Sequence, residues 1–237
     1  MKNLLYLFIL LFPLILFSCK KEQQVVNNED DSNNNNNNTT PLVSNIPNGD
    51  FETWIASDQN TFEEPSTGWW TTLNVLKNLG GPETVVKTEE VNTGQYAAKL
   101  TTSMWNDLLI PGLIVSGTFD FNAPNMIIQG QAYTQKPVSM KGYYKYTSIN
   151  GDSAAIYASV TKYNTQLSKR DTLGEVRFAV LNSVSTYTYF EIPFNYLVSD
   201  VTPDSLTLVF SSSADGANFN GQAGSTLYID DISLILP

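Results

Sequence analysis

Ser225-Thr-Leu-Tyr-Ile-Asp-Asp-Ile-Ser-Leu-Ile-Leu236 runs almost to the end of the chain and carries a fault in its own alternation. Leu227 and Ile229 share one phase of a half-buried strand, with the amphipathic Tyr228 between them. Ile232 and Leu234 also alternate, but in the opposite phase. A one-residue slip would turn the whole apolar set to the other face, so a β-bulge at Asp230-Asp231 is expected to absorb it. Two adjacent carboxylates between apolar residues then have three outcomes. They are exposed, satisfied by backbone N–H groups, or bound to a metal.

Upstream, the same short alternating pattern recurs. Gln95 to Thr102 places Tyr96, Ala98 and Leu100 on one side. Met140, Gly142, Tyr144 and Tyr146 share one phase, and Lys141, Tyr143 and Lys145 the other, wetter one. Asn150-Gly151-Asp152 signals a hairpin turn, from which Ala154 to Lys162 returns with Ile156, Ala158 and Val160 in phase. Leu206, Leu208 and Phe210 form the inner set of Ser205 to Ser213. In the segment from Tyr187 to Phe194, Tyr187, Tyr189 and Phe190 compete for the inner face, and Pro193 marks an edge or an end. Trp105 to Leu109 reads as an irregular excursion ending at Pro111-Gly112. No stretch after residue 18 keeps a 3.6-residue period. Many short strands with Gly, Asn and Pro turns predict an all-β, antiparallel jelly-roll β-sandwich whose opening and closing segments pair or neighbour.

The start of the chain carries an address. Leu4 to Phe17 is apolar behind a single Lys2, too short for a comfortable bilayer crossing, and reads as the h-region of a signal peptide spanning residues 1–18. Leu16-Phe17-Ser18-Cys19 resembles a bacterial lipobox, which implies cleavage before Cys19 and its acylation. Cys19 is the chain's single cysteine, so lipidation would remove an otherwise free thiol. Residues 19–40 form a polar linker with six consecutive asparagines, Asn33 to Asn38. Such a segment cannot bury enough apolar surface to fold, and as a coil it spans roughly 25 Å. The folded domain is expected over residues 41–237.

Composition excludes several chemistries. Removal of residues 1–18 takes one lysine and no acid, leaving 12 cations against 23 acids, a net −11. No basic stripe meets phosphates, so nucleic acid is not expected as a partner. There is no histidine, which removes His-based triads, His zinc sites and imidazole acid–base chemistry.

Phe51-Glu52-Thr53-Trp54, Gly68-Trp69-Trp70, Gly142-Tyr143-Tyr144-Lys145-Tyr146, Ile192-Pro193-Phe194 and Gly224 to Ser233 together resemble the Bacteroidetes putative carbohydrate metabolism domain. The resemblance implies a lipoprotein with a jelly-roll domain like a carbohydrate-binding module, lipid-anchored in the outer membrane and displayed at the cell surface. Oligo- or polysaccharides and outer-membrane glycan-uptake proteins are the implied partners. A non-catalytic glycan binder is the leading expectation. The alternatives are a structural or protein-docking lipoprotein and a carboxylate-dependent glycoside hydrolase. On the binder reading, Trp105 is the preferred sugar platform. Trp70 is a second, because one of two adjacent tryptophans in extended backbone faces outward. Tyr143 with Lys145 beside it, and the loop amides of Asn218 and Asn220, complete the ligand-binding set. More distantly, the frame from Phe51-Glu52 to Asp230-Asp231 resembles jelly rolls with a structural calcium. That implies Glu52 and Asp231 as ligands, with backbone carbonyls completing the shell and Asp50 a weaker third. Hydrogen bonds to Asp231 at the bulge and a salt bridge from Glu52 to Lys99 are the competing arrangement.

Overall fold

The computed structural model describes residues 42–58, 61–65, 68–120 and 127–237, with the backbone alone at Asn45 and Ile127. The expected signal peptide, Cys19 and the 19–40 linker lie outside the described residues.

Two antiparallel sheets pack face to face as a jelly-roll β-sandwich. In spatial order the first holds Val184–Pro193, Ser139–Thr147, Thr226–Leu236, Ala97–Thr101 and Val85–Thr88. The second holds Asn195–Tyr196, Lys169–Val180, Ala154–Asn164, Ser205–Ser211, Leu113–Ser116 and Trp70–Thr72, with Gln131–Ala132 also paired to Ser205–Ser211. The closing strand sits in the middle of its sheet. Its far end pairs with the opening strand Leu42–Asn45, in register from Leu42 opposite Leu236 to Asn45 opposite Ser233. The two ends of the domain are thus joined as expected.

The bulge lies where the phase slips. Lys141 faces Ser233 but Tyr143 faces Asp230, so Gly142 alone opposes both Asp231 and Ile232. Asp231 takes up the extra residue with φ +54°, a left-handed conformation that aspartate adopts more readily than β-branched residues. Leu227, Ile229, Ile232 and Leu234 are then all buried in the one core despite their opposite phases. Each such side chain contributes about 1.5–3 kcal/mol relative to exposure.

The turn before Phe51 is fitted to this bulge. Gly49 N donates to Ile46 O, and Ile232 N donates to Gly49 O at 2.8 Å. A Cβ on Gly49 would stand 2.2 Å from the backbone oxygen of Ile232, so no larger residue allows that approach.

The Asn150-Gly151 hairpin forms with both turn residues at positive φ, as the sequence predicts. The stretch around Trp105 differs from expectation. It is a regular hairpin, Ser103–Trp105 against Leu108–Ile110, turned by Asn106 at φ +47° and Asp107 at φ +65°. Asn and Asp tolerate the left-handed region, so Asn-Asp serves here as a two-residue turn without glycine. In the edge strand Val184–Pro193, Phe190 wins the inner face, and Tyr187 and Tyr189 turn outward.

Candidate functional site

The turn, the bulge and the loop after Val85–Thr88 meet on the outer face of the first sheet. They enclose a cleft of about 730 Å³. Ile46 to Asp50 form one wall, Asn92 and Thr93 a second, and Asp231 to Ser233 the base of a third. Lys141 and Tyr143 rise from the central strand, and Tyr189 from the edge strand beside it. Alternation places Lys141 and Tyr143 outward because Met140 and Tyr144 are committed to the core. The Tyr143 and Tyr189 rings meet edge to face, with centroids 5.5 Å apart. The Tyr189 hydroxyl donates to Glu191 Oε2, and Ser139 Oγ donates to Glu191 Oε1 at 2.8 Å. These bonds hold the Glu191 carboxyl below its usual range.

The Asn92–Thr93 wall is clamped from below and from the side. Asp230, fully buried, accepts Asn92 N–H at 2.8 Å and Thr93 N–H at 3.3 Å through Oδ2, and Asp231 N–H at 2.9 Å through Oδ1. Burial pushes its carboxyl up to about 6, against the pull of the N–H donors. Asp231 Oδ2 accepts from the Asn92 side-chain amide at 2.8 Å, and both Asp231 oxygens accept from Thr93 Oγ1 at 2.9 and 3.0 Å. Neighbouring Asp230 and Asp231 therefore grip the same two residues, one by backbone and one by side chain.

Glu52 is engaged by the same loop. Its Oε1 accepts Gln95 N–H at 2.8 Å and Tyr96 N–H at 3.1 Å, an arrangement that neither the calcium frame nor a Lys99 salt bridge anticipates. Calcium needs six to eight converging oxygen ligands. Glu52 Oε1 and both Asp231 oxygens face protein donors, and among the described residues no three His, Cys, Asp or Glu side chains are grouped to hold a metal. Hydrogen bonds to loop donors, the competing arrangement for Asp231, are what these side chains make here. Loop N–H and hydroxyl donors hydrogen-bond the carboxylates where the ion was expected. Asp50, exposed, lines the cleft beside Asp231.

The remaining expected site residues divide. Tyr143 lines the cleft. Lys145, on the same face, is buried: its ammonium pairs with the Glu90 carboxylate and lies 4.0 Å from the Tyr228 ring centre. That pairing keeps the Glu90 carboxyl below its usual range and leaves Lys145 covered rather than presented to a ligand. Trp70 is only 2% exposed and belongs to the core, which corrects its expected role as a platform. Trp105 is half-buried on its hairpin, packed on a second apolar cluster of Leu73, Leu76, Ile110, Leu113 and Val115. Phe219 packs on the same cluster. Asn218 and Asn220, on either side of it, are exposed and donate their amides to the Asp215 carboxylate at 2.6 and 2.8 Å. The structure thus gathers Trp105, Asn218 and Asn220 around this cluster on the second sheet, away from the cleft lining.

Lys141, Tyr189, Asn92, Thr93 and Asn48 were missed as site residues. The outward phase of Lys141 was already apparent in the sequence. Tyr189 was recoverable too: giving the inner phase to Phe190 and Ile192 sends it outward. Asn92 and Thr93 meet the bulge across more than 130 residues and leave no local trace.

A family model described as the putative carbohydrate metabolism domain matches residues 45–235. The chain belongs to this family. The match runs from the end of the opening strand to the penultimate residue of the closing strand, and takes in every residue lining the cleft except Val43. In fold, this putative carbohydrate metabolism domain is similar to a putative glycoside hydrolase from Bacteroides thetaiotaomicron. That pair shares 21% identity over 79% of this chain and 70% of the other, with a TM-score of 0.68. It is likewise similar to a putative glycoside hydrolase from Bacteroides vulgatus, at 22% identity over 79% of this chain and 97% of the other, with a TM-score of 0.66. At such identities the likeness establishes the sandwich alone. No curated protein matches the chain.

Proposed function

We propose that the domain is a non-catalytic glycan-binding module of a cell-surface lipoprotein in a carbohydrate-uptake or carbohydrate-metabolism system. The observation that carries this reading is the cleft. Two tyrosine rings stand beside Lys141 and Asp231 in a concavity large enough for a sugar unit, in a domain whose family is carbohydrate-related. Sugars are polyols with apolar C–H faces, so they are recognised by aromatic rings together with a few fixed polar groups. The two Bacteroides relatives carry a hydrolase description, but hydrolysis needs one carboxyl held protonated opposite one held ionised. Among the described residues, the two acids pushed upward are Asp230, which is sealed under the Asn92–Thr93 wall, and Glu64 on a separate hairpin. Neither lines the cleft, which supports binding over turnover.

Tyr143→Ala and Tyr189→Ala should each lower glycan affinity about tenfold to a hundredfold, as measured by calorimetry on any hit from a glycan panel. Unchanged affinity in both variants, or release of reducing sugar by the unaltered protein, would overturn the reading. The lipoprotein half of the proposal rests on Leu16 to Cys19 and the absence of any other cysteine. Cys19→Ser should move the protein from the membrane fraction to the soluble fraction, and continued retention would refute lipid anchoring.

A further inference from the structure

We infer that the cleft takes an uncharged sugar residue with a free vicinal diol, and that Asp231 and Lys141 are its specificity-determining side chains. The inference rests on the glycan-binding reading above and narrows it.

Asp231 is fixed before any ligand arrives. Its backbone is set by the bulge at φ +54°, and its carboxylate is held by Asn92 Nδ2 and Thr93 Oγ1. A carboxylate has roughly four acceptor positions; Asn92 and the Thr93 hydroxyl, which is shared between both oxygens, leave about one to two of them, mainly on Oδ1. Adjacent hydroxyl protons of one sugar ring match two acceptor positions on a single rigid carboxylate. Lys141 supplies the complementary half, because an ammonium is a donor only and is suited to the hydroxyl oxygens. Tyr143 and Tyr189 would meet the C–H face of the same ring.

Charge argues against an acidic glycan. Asp50 and Asp231 line the cleft, and Glu191 stands behind Tyr189, paired across the strands with Lys141. One lysine thus faces three carboxylates, in a chain whose formal charge is −10. A uronate or sulfate group would bring a further anion into this field, where like charges oppose binding.

The test is affinity electrophoresis of the full lipid-free domain in gels containing neutral polysaccharides (a galactan, a mannan, a xylan and a mixed-linkage glucan) or acidic ones (polygalacturonate, alginate and chondroitin sulfate). Retention by a neutral polymer is expected, with affinity changing less than about twofold between 50 and 500 mM salt. Asp231→Asn should weaken that retention at least tenfold, since hydrogen bonds to a charged group outweigh neutral ones. Asparagine tolerates the left-handed backbone, so this variant should keep the fold. Lys141→Gln, on a regular strand, gives a second variant expected to weaken retention without touching the bulge. Retention by acidic polymers alone, or neutral retention undiminished in both variants, overturns the inference and leaves the binding reading standing. Retention by no polymer of either class overturns both.

Discussion

Trp70→Ala should lower the unfolding free energy by about 3–5 kcal/mol, the range for deleting a large buried aromatic. Trp70 stands on the edge strand of the second sheet, yet its ring fills the centre of the core. Its centroid is 5.5 Å from that of Phe51 and 6.0 Å from that of Phe210. Its Nε1 donates to Pro47 O at 3.0 Å and Asn48 O at 3.2 Å. These carbonyls belong to the turn whose Gly49 docks on the bulge, so Trp70 braces one wall of the cleft from beneath. The alanine variant loses packing, leaves a cavity and removes a donor from two carbonyls. In a domain of this size the loss corresponds to roughly 6–20 °C in the unfolding midpoint. Trp70→Phe keeps most of the apolar volume but not the N–H, and should fall between the two. Urea denaturation reads both variants, and an alanine variant within 1 kcal/mol of the parent would show that this ring does not brace the core.

The same residue shows where sequence reading ends. In Gly68-Trp69-Trp70, alternation cannot say which ring is the more deeply buried; in the structure Trp70 is buried and Trp69, partly buried, also packs against the main core. Trp70 is placed opposite Ser116 on the neighbouring strand, more than forty residues away. The bulge, by contrast, was legible, because both phases of the closing strand had to reach one core and one residue had to be skipped. The pairing of the opening and closing strands was legible for the same reason that the sandwich was. Lys145 was placed on the correct face, but the phase of a strand does not reveal what lies over it. Glu90 comes from a distant loop, and Tyr228 and Tyr187 from the two flanking strands. Trp105 looked irregular because its turn has no glycine, yet Asn106-Asp107 performs the same conformational task. The carboxylates were singled out correctly as needing partners. Most of their partners are N–H and hydroxyl donors of a loop that no local pattern connects to them.

Glu64→Gln should stabilise the protein by about 1–3 kcal/mol at pH 8 and by little or nothing at pH 4. Glu64 lies on a short hairpin, Glu63–Glu64 against Ile55–Ala56. Its Oε1 accepts from Thr72 Oγ1 at 3.0 Å, while its Oε2 is buried with no hydrogen-bond partner among the described residues. Burial outweighs the Thr72 bonds and pushes the carboxyl from 4.5 up to about 7. The folded chain therefore holds a proton here that the unfolded chain has already released between about pH 4.5 and 7. Stability from this group is complete below 4.5 and falls as pH rises through 7. The full shift corresponds to about 3 kcal/mol, with partial access to water lowering it. Glutamine retains the acceptor for Thr72 and never ionises, so it escapes the loss. Asp230 adds a loss of the same sign between about 3.8 and 6. Glu90, Glu191 and Asp204, held below their usual range, act in the opposite direction. The absolute pH profile mixes all of these, but the difference between parent and Glu64→Gln isolates one group. Urea midpoints measured from pH 4 to 8 should give two curves that meet near pH 4, diverge between about 4.5 and 7, and stay apart above that. Parallel curves would mean that Glu64 is ionised in the folded protein throughout, with a partner supplied to Oε2.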